Sequence, residues 1–293
     1  MISLRSILEK HQRTTGSSWN LIEQDYALSL ILYGIANVDA LKKHLIFKGG
    51  TCLRKYYFGD YRFSQDADFS VQGNYPTKDA LQSLLNEACI IASKYLTQKK
   101  VDSHFECIRY VEKKPHPTDQ EAFTISIQYP WHREPLTRVM IEITSVEKVA
   151  LTPVEKNIIH DYEPDFKADL LVYPLEEIVA EKIRALIQFH TKLHERGWGR
   201  SRARDYYDLW RILQSYKTLI DFLLVHKVVK EKCKNKGINF EGYHQIFSDE
   251  LMQDLEKAWD IWVRPLVPGN LPKVELIVHD LKEYLLGISA PFM

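Results

Sequence analysis

An α+β chain is predicted, with a mixed sheet and flanking helices over residues 1–173 and a helical domain over 174–293. Three observations carry this. Short apolar runs with β-forming residues cluster in the first half, near 45–47, 62–71, 102–111, 122–129 and 137–144. From Pro174 onward apolar residues recur at three- and four-residue steps instead, as on amphipathic helices. No strand pattern returns until Val274–Val278. With 45% hydrophobic and 27% charged residues, the 293-residue chain has the composition of a soluble globular protein large enough for one or two proper cores.

The elements follow in order. A helical region carrying Tyr26, Leu28, Leu30, Ile31 and Leu32 runs to about Asn37 and leads into a short buried strand, Leu45-Ile46-Phe47. That strand stops at Gly49-Gly50, where side chains vanish and backbone can approach a ligand. A helix is expected from Thr51 to Phe58, then a strand through Arg62–Val71 and a long helix over Thr77–Leu96. Helices are expected near 174–194, 203–215, 218–234 and 248–263. Neither an internal repeat nor a low-complexity tract is present.

The chemistry concentrates in Lys48–Ser70. A helix N-terminus just past the Gly-Gly turn favours phosphate oxygens, by its dipole and by its unpaired N–H groups. On the strand that follows, alternation puts Asp66 and Asp68 on one face and Ala67 and Phe69 on the other. Two carboxylates that close are unfavourable without a cation between them, and oxygen ligands of this kind suit Mg²⁺, which takes one or two carboxylates plus triphosphate oxygens. Metal-assisted phosphoryl or nucleotidyl transfer is the implied chemistry. The chain contains neither G-x-x-x-x-G-K-[S/T] nor G-x-G-x-x-G, so the common phosphate loops are excluded.

A metal pair generally wants a third carboxylate from a neighbouring strand. Glu142 interrupts the β-rich run Thr137–Thr144 and is costly to bury alone. Two readings stand: Glu142 ligates the metal with Asp66 and Asp68, or it shares a solvated face with Met140 and Thr144.

The run Lys48-Gly49-Gly50-Thr51, with Arg62-Phe63-Ser64-x-Asp66-x-Asp68-Phe69, resembles the first motif of the AbiEii/AbiGii toxin family of nucleotidyltransferases, within the polymerase-β-like superfamily. Glu181-Lys182-Ile183-Arg184-Ala185-Leu186 and Arg204-Asp205-Tyr206-Tyr207-Asp208-Leu209 resemble its later E-K-x-x-A-L and R-D-x-x-D-L helices, in family order across roughly 45–213. The resemblance implies a nucleotidyltransferase-type sheet whose active-site cleft the helical domain completes. It implies transfer of a nucleoside monophosphate from a nucleoside triphosphate to an acceptor hydroxyl. Asp66, Asp68, Glu142 and Asp205 would be catalytic, the first three holding one or two Mg²⁺. Lys48, Gly49, Gly50, Thr51, Ser64 and Lys182 would contact the nucleotide. Some relatives are type IV toxins that modify the 3′ end of transfer RNA, which suggests an RNA acceptor and a cognate antitoxin protein; a small-molecule or antibiotic acceptor, or a non-catalytic interaction protein, are the alternatives. Such toxins often carry Gly-Ser in the turn, where this chain has Gly-Gly-Thr.

Read from spacing alone, Lys182 lies at the apolar boundary of its helix, within reach of a triphosphate. Arg204 and Asp208, four apart, are placed to pair, leaving Asp205 without a local cation. Between the helices, Lys192–Arg204 has five Lys/Arg against one acid in a chain of zero formal net charge. Arg196, Arg200 and Arg202 with Trp198 suit an RNA end, or form a solvated loop. Cys52, Cys89, Cys107 and Cys233 make no C-x-x-C pair, so zinc and disulfides are not indicated and a reducing cytoplasm fits. His190 and His194 are four apart, but the H-E-x-x-H signature is absent. Nowhere do 18 apolar residues run together, which disfavours secretion and membrane insertion.

Overall fold

The computed structural model describes residues 3–110 and 120–289 and divides into two compact units, Met1–Tyr173 and Pro174–Met293. The first unit opens with helices α1 (Leu4–Thr15), α2 (Trp19–Ala36) and α3 (Asp39–His44), followed by strand β1 (Leu45–Lys48). Helix α4 (Gly49–Cys52) continues directly into a π-helical turn, Leu53–Tyr57. Then come β2 (Asp66–Val71), α5 (Lys78–Gln98), β3 (His104–Tyr110), β4 (Gln120–Gln128), β5 (Thr137–Thr144), β6 (Val154–Asn157) and β7 (Asp169–Val172).

The seven strands form one mixed sheet in the order β3-β4-β5-β2-β1-β7-β6. Strands β2 and β5, and likewise β1 and β7, pair in parallel; the remaining pairs are antiparallel. Alternation explains how the sheet is covered. Phe47, Ala67, Phe69, Phe123, Ile125, Val139, Ile141 and Ile143 are all buried on one face. Their neighbours Asp66, Asp68, Met140, Glu142 and Thr124 are only partly buried, on the opposite face. Residue 111, the expected last residue of β3, lies outside the described residues.

A charged network inside this unit ties α2 to the π turn. Asp25, 1% exposed, accepts from Arg54 Nε at 2.7 Å, from Lys55 Nζ at 2.8 Å and from the Tyr162 hydroxyl at 2.8 Å. Arg54 also donates to the Tyr61 carbonyl at 2.5 Å and lies over the Phe63 ring at 3.9 Å. Burial alone would raise the Asp25 pKa, but the two cations outweigh it and hold the carboxyl far below the ordinary carboxylate range. Beside it, burial and the Lys55 charge push His160 down to about 3; its ring stacks on Phe166 at 4.0 Å, and neither nitrogen has a hydrogen-bond partner among the described residues.

The second unit comprises α6 (Leu175–Arg196), α7 (Ala203–Tyr216), α8 (Phe222–Asn235), α9 (Asp249–Ala258) and α10 (Val274–Ser289), with short π and 3-10 turns at 243–247 and 259–266. Gly197, at φ 73°, closes α6, and the Asp221 side chain caps α8. Three expectations are corrected. Val274–Val278 opens a helix, because the buried residues Ile277, Leu281 and Leu285 recur every four positions. Strands β6 and β7 add to the expected set; the Val-Glu-Lys-Asn of β6 is mostly exposed and carries no apolar alternation. The basic segment beginning at Lys192 is still α6 as far as Arg196.

The pH dependence of stability follows. The folded unit keeps Asp25 ionised and His160 neutral, so on acidification the unfolded chain takes up protons first. Stability is therefore full above about pH 6.5, the ordinary histidine value, and declines as pH falls, with the Asp25 contribution added below about pH 4. His160→Phe should flatten the melting temperature between pH 6.5 and 4; an unchanged slope in thermal melts would remove His160 from the account.

Candidate active site

Strand register builds the site. Lys48 on β1 is the partner of Asp68 on β2, which is the partner of Glu142 on β5, which is the partner of Ala122 on β4. Paired residues share a sheet face, so one row across the open face reads Lys48, Asp68, Glu142, Ala122. The adjacent row reads Asp66, Met140, Thr124. The three carboxylates expected from sequence thus share one face on adjoining strands. Glu142 accepts from the Gln120 amide at 2.6 Å. Lys48 is buried and bonds Glu147 at 2.5 Å, a partner the sequence reading missed because Glu147 follows the strand in an irregular segment.

The glycine turn packs directly on this face. Gly49 has φ 79°, and a Cβ built on it would lie 2.4 Å from Asp68 Oδ2. Both the backbone and the carboxylate beside it therefore require glycine. A Cβ on Gly50 would lie 2.6 Å from Arg62 Nη2 and 3.2 Å from the Ser64 hydroxyl. Arg62, buried and beside the turn, is a second residue the sequence reading did not place in the site.

Two local expectations change. The helix starts at Gly49 rather than Thr51, with Lys48 as the residue before it. Thr51 is fully buried and its hydroxyl donates to the Asp66 carbonyl, so it ties the turn to β2 instead of facing a ligand.

The second unit holds a separate ion group. Lys182 on α6 bonds Asp208 at 2.5 Å and Asp205 at 3.0 Å, both on α7, and Arg202 lies 3.6 Å from Asp205. Asp208 therefore pairs across helices with Lys182, a cation the spacing reading did not give it, and Asp205 has two cations where none was expected. An i,i+4 spacing sees only one helix, whereas Lys182 reaches both acids from α6. Burial opposes ionisation of Asp205, but Lys182 and Arg202 hold it below its usual range. A second buried lysine, Lys232 on α8, bonds Glu177 at 2.8 Å and Glu181 at 3.3 Å. Trp198 is 72% exposed, and Arg196 and Arg200 are exposed beside it.

The family model for the AbiEii nucleotidyl transferase toxin of type IV toxin–antitoxin systems matches residues 30–285, which include the sheet face, the turn and the α6–α7 ion group. The chain belongs to the AbiEii nucleotidyltransferase toxin family. As an AbiEii protein it is a nucleotidyltransferase, whose family implies a nucleoside triphosphate substrate and a cognate antitoxin. Its fold is similar to that of MenT4, the nucleotidyltransferase toxin Rv2826c from Mycobacterium tuberculosis H37Rv, with a TM-score of 0.55, 16% identity, and coverage of 96% of this chain and 98% of that one. Curated protein sequences give no match. Among the described residues, no helix is long and apolar enough to cross a membrane.

Gly49→Ala should lower turnover by about 100-fold, the scale of an ångström-sized displacement at a reacting group. Its far-ultraviolet dichroism should stay that of the parent, and activity within threefold of the parent would contradict the packing of Gly49 on Asp68. In the second unit, Asp208→Ala should destabilise by about 3 kcal/mol, because Asp208 is fully buried against Lys182. Asp205→Ala should cost less, its side chain being 16% exposed, and denaturant midpoints compare the two directly.

Proposed function

We propose that this AbiEii protein transfers a nucleoside monophosphate from a nucleoside triphosphate to the 3′ end of an RNA, transfer RNA being the acceptor the family resemblance favours, in a metal-dependent reaction. The observation that carries the reading is the convergence of the Gly49–Thr51 turn with Asp66, Asp68 and Glu142 on one sheet face.

The donor set fits a hard divalent cation. Asp66 and Asp68 offer oxygens from one strand face, and the absent Cβ of Gly49 keeps space beside Asp68 Oδ2. Among the described residues no three of His, Cys, Asp and Glu stand close enough to hold an ion by themselves. Asp66 and Asp68, with Glu142, would hold a Mg²⁺ together with substrate phosphate oxygens. When bound, Mg²⁺ supplies charge neutralisation at the phosphates and activation of the attacking hydroxyl.

The residues of the chain do the rest. Backbone N–H groups at the start of the Gly49–Tyr57 helical run bind phosphate oxygens. Ser64 and Lys48 stand beside that turn and row as further nucleotide contacts. The acceptor hydroxyl oxygen forms the new bond to the α-phosphorus while the bond to pyrophosphate breaks in line, and the hydroxyl proton passes to a carboxylate of this face. By resemblance, Lys182 contributes a cation to the triphosphate and Asp205 orients it. Arg196, Arg200 and Arg202 are proposed as acceptor contacts, supported by their surplus of charge beside exposed Trp198. A cognate antitoxin and a cytoplasmic setting complete the reading.

Purified protein incubated with each labelled triphosphate, Mg²⁺ and total RNA should give one labelled RNA band, lost with EDTA and in Asp66→Asn and Asp68→Asn. Those variants should melt at or slightly above the parent temperature, because each removes one of two crowded charges. Label that persists in both variants would sink the metal-site reading.

A further inference from the structure

A cavity of about 440 Å³ opens at the end of the sheet where β2 and β5 begin, within the first unit. Its wall is mixed, with Leu136 giving it an apolar side and most of its other lining residues polar. Asn20, Glu23 and Gln24 come from the first turns of α2, Gln65 directly precedes Asp66, and His132 and Arg138 flank the start of β5. The wall is a built one. Glu23, 2% exposed, accepts from the Trp131 indole at 2.5 Å and lies 3.1 Å from His132 Nε2. Trp131 is fixed by stacking on Tyr129 at 4.9 Å, nearly coplanar. Gln24 donates to the Arg138 carbonyl at 2.8 Å, and its own amide oxygen accepts from Gln65 at 3.1 Å. These bonds tie α2, the residue before the first aspartate and β5 into one rim.

The cavity also sits on a particular side of the carboxylates. Met140 is the strand partner of Asp66, and Arg138 lies one pleat repeat earlier on the same open face, its side chain exposed. The Gly49–Thr51 turn approaches from β1, on the other flank of β2. Asp66 therefore stands between the turn and the cavity. In an in-line displacement the nucleophile enters opposite the leaving group. With pyrophosphate held at the turn, the acceptor must come from the β5 side.

We propose that this cavity is the subsite for the acceptor's terminal nucleotide: its base contacts the amide-rich rim formed by Asn20, Gln24 and Gln65, and its phosphate meets the Arg138 guanidinium. The volume lies in the usual range of small-ligand pockets. Amide groups carry the donors and acceptors that read base edges, and an exposed arginine suits a phosphodiester. The assignment rests on the RNA acceptor proposed above.

The test uses the full-length protein with short oligoribonucleotides ending in 3′-terminal 4-thiouridine, crosslinked by light and mapped by mass spectrometry, alongside kinetics of the Asn20→Ala/Arg138→Ala double variant. Both replaced side chains are exposed, and neither makes a hydrogen bond or ion pair among the described residues. Crosslinks are expected in the peptides spanning 19–24, 65 and 131–138. The variant should show a KM for RNA raised tenfold or more, with triphosphate affinity and melting temperature unchanged. Crosslinks confined to other regions, or an unchanged KM for RNA, would overturn the assignment. A raised KM for the triphosphate alone would overturn it too, by giving the cavity to the donor base. Because crosslinking needs no turnover, crosslinks at the rim without label transfer would fault the proposed reaction and leave the subsite standing. Label transfer with crosslinks elsewhere would do the reverse.

Discussion

One buried carboxylate governs the geometry of the first unit. Asp25 on α2 is shared by Arg54, Lys55 and Tyr162, and taking such charges out of water is tolerable only with this density of partners. The helical run they belong to, Gly49–Tyr57, is too short to persist by propensity. Its far end winds as a π turn, a geometry that recurs at functional sites, and it is there that Asp25 clamps it to α2. The near end is the glycine turn. Fixing one end against a buried ion cluster and the other through Thr51 to β2 leaves the turn no freedom to lift from Asp68.

The open face, in turn, is set by the hidden one. A slip of one residue between strands would move every side chain to the opposite face. Phe47 against Phe69, and Ala67 and Phe69 beside Ile141 and Ile143, make such a slip costly, since it would expose buried apolar side chains and bury Asp66, Asp68 and Glu142. The carboxylate row is thus held in register by packing that never touches a ligand. The same constraint orients Arg138, two residues before Met140, toward the open face.

How much of this the sequence discloses depends on the range of each signal. The Asp66/Asp68 face is legible because a period of two is local, and Glu142 because a lone acid inside a β-branched run has few explanations. Glu147 and Asp25 give no local sign: each acquires its role from partners far along the chain, as in the 99-residue separation between Lys48 and Glu147. The Asp208 pairing shows the opposite hazard. A local rule looks only along its own helix to Arg204, and an aspartate with no exposed surface also takes a cation from the helix packed against it, Lys182. Val274–Val278 has the same cause at smaller scale, since five residues hold too little pattern to separate the two periods.

The Gly-Gly-Thr turn, which departs from the Gly-Ser of many related toxins, also acquires a physical reason. Any side chain at position 50 would begin 2.6 Å from the Arg62 guanidinium and 3.2 Å from the Ser64 hydroxyl. The space a serine would need is already occupied by a buried cation and a hydroxyl from the segment leading into β2. Arg62 is 3% exposed and donates to the Phe63 carbonyl at 3.1 Å, so it is not free to swing away. The departure is therefore coupled across twelve positions: glycine at 50 and arginine at 62 share one space, and a Cβ at 50 obliges the guanidinium to shift.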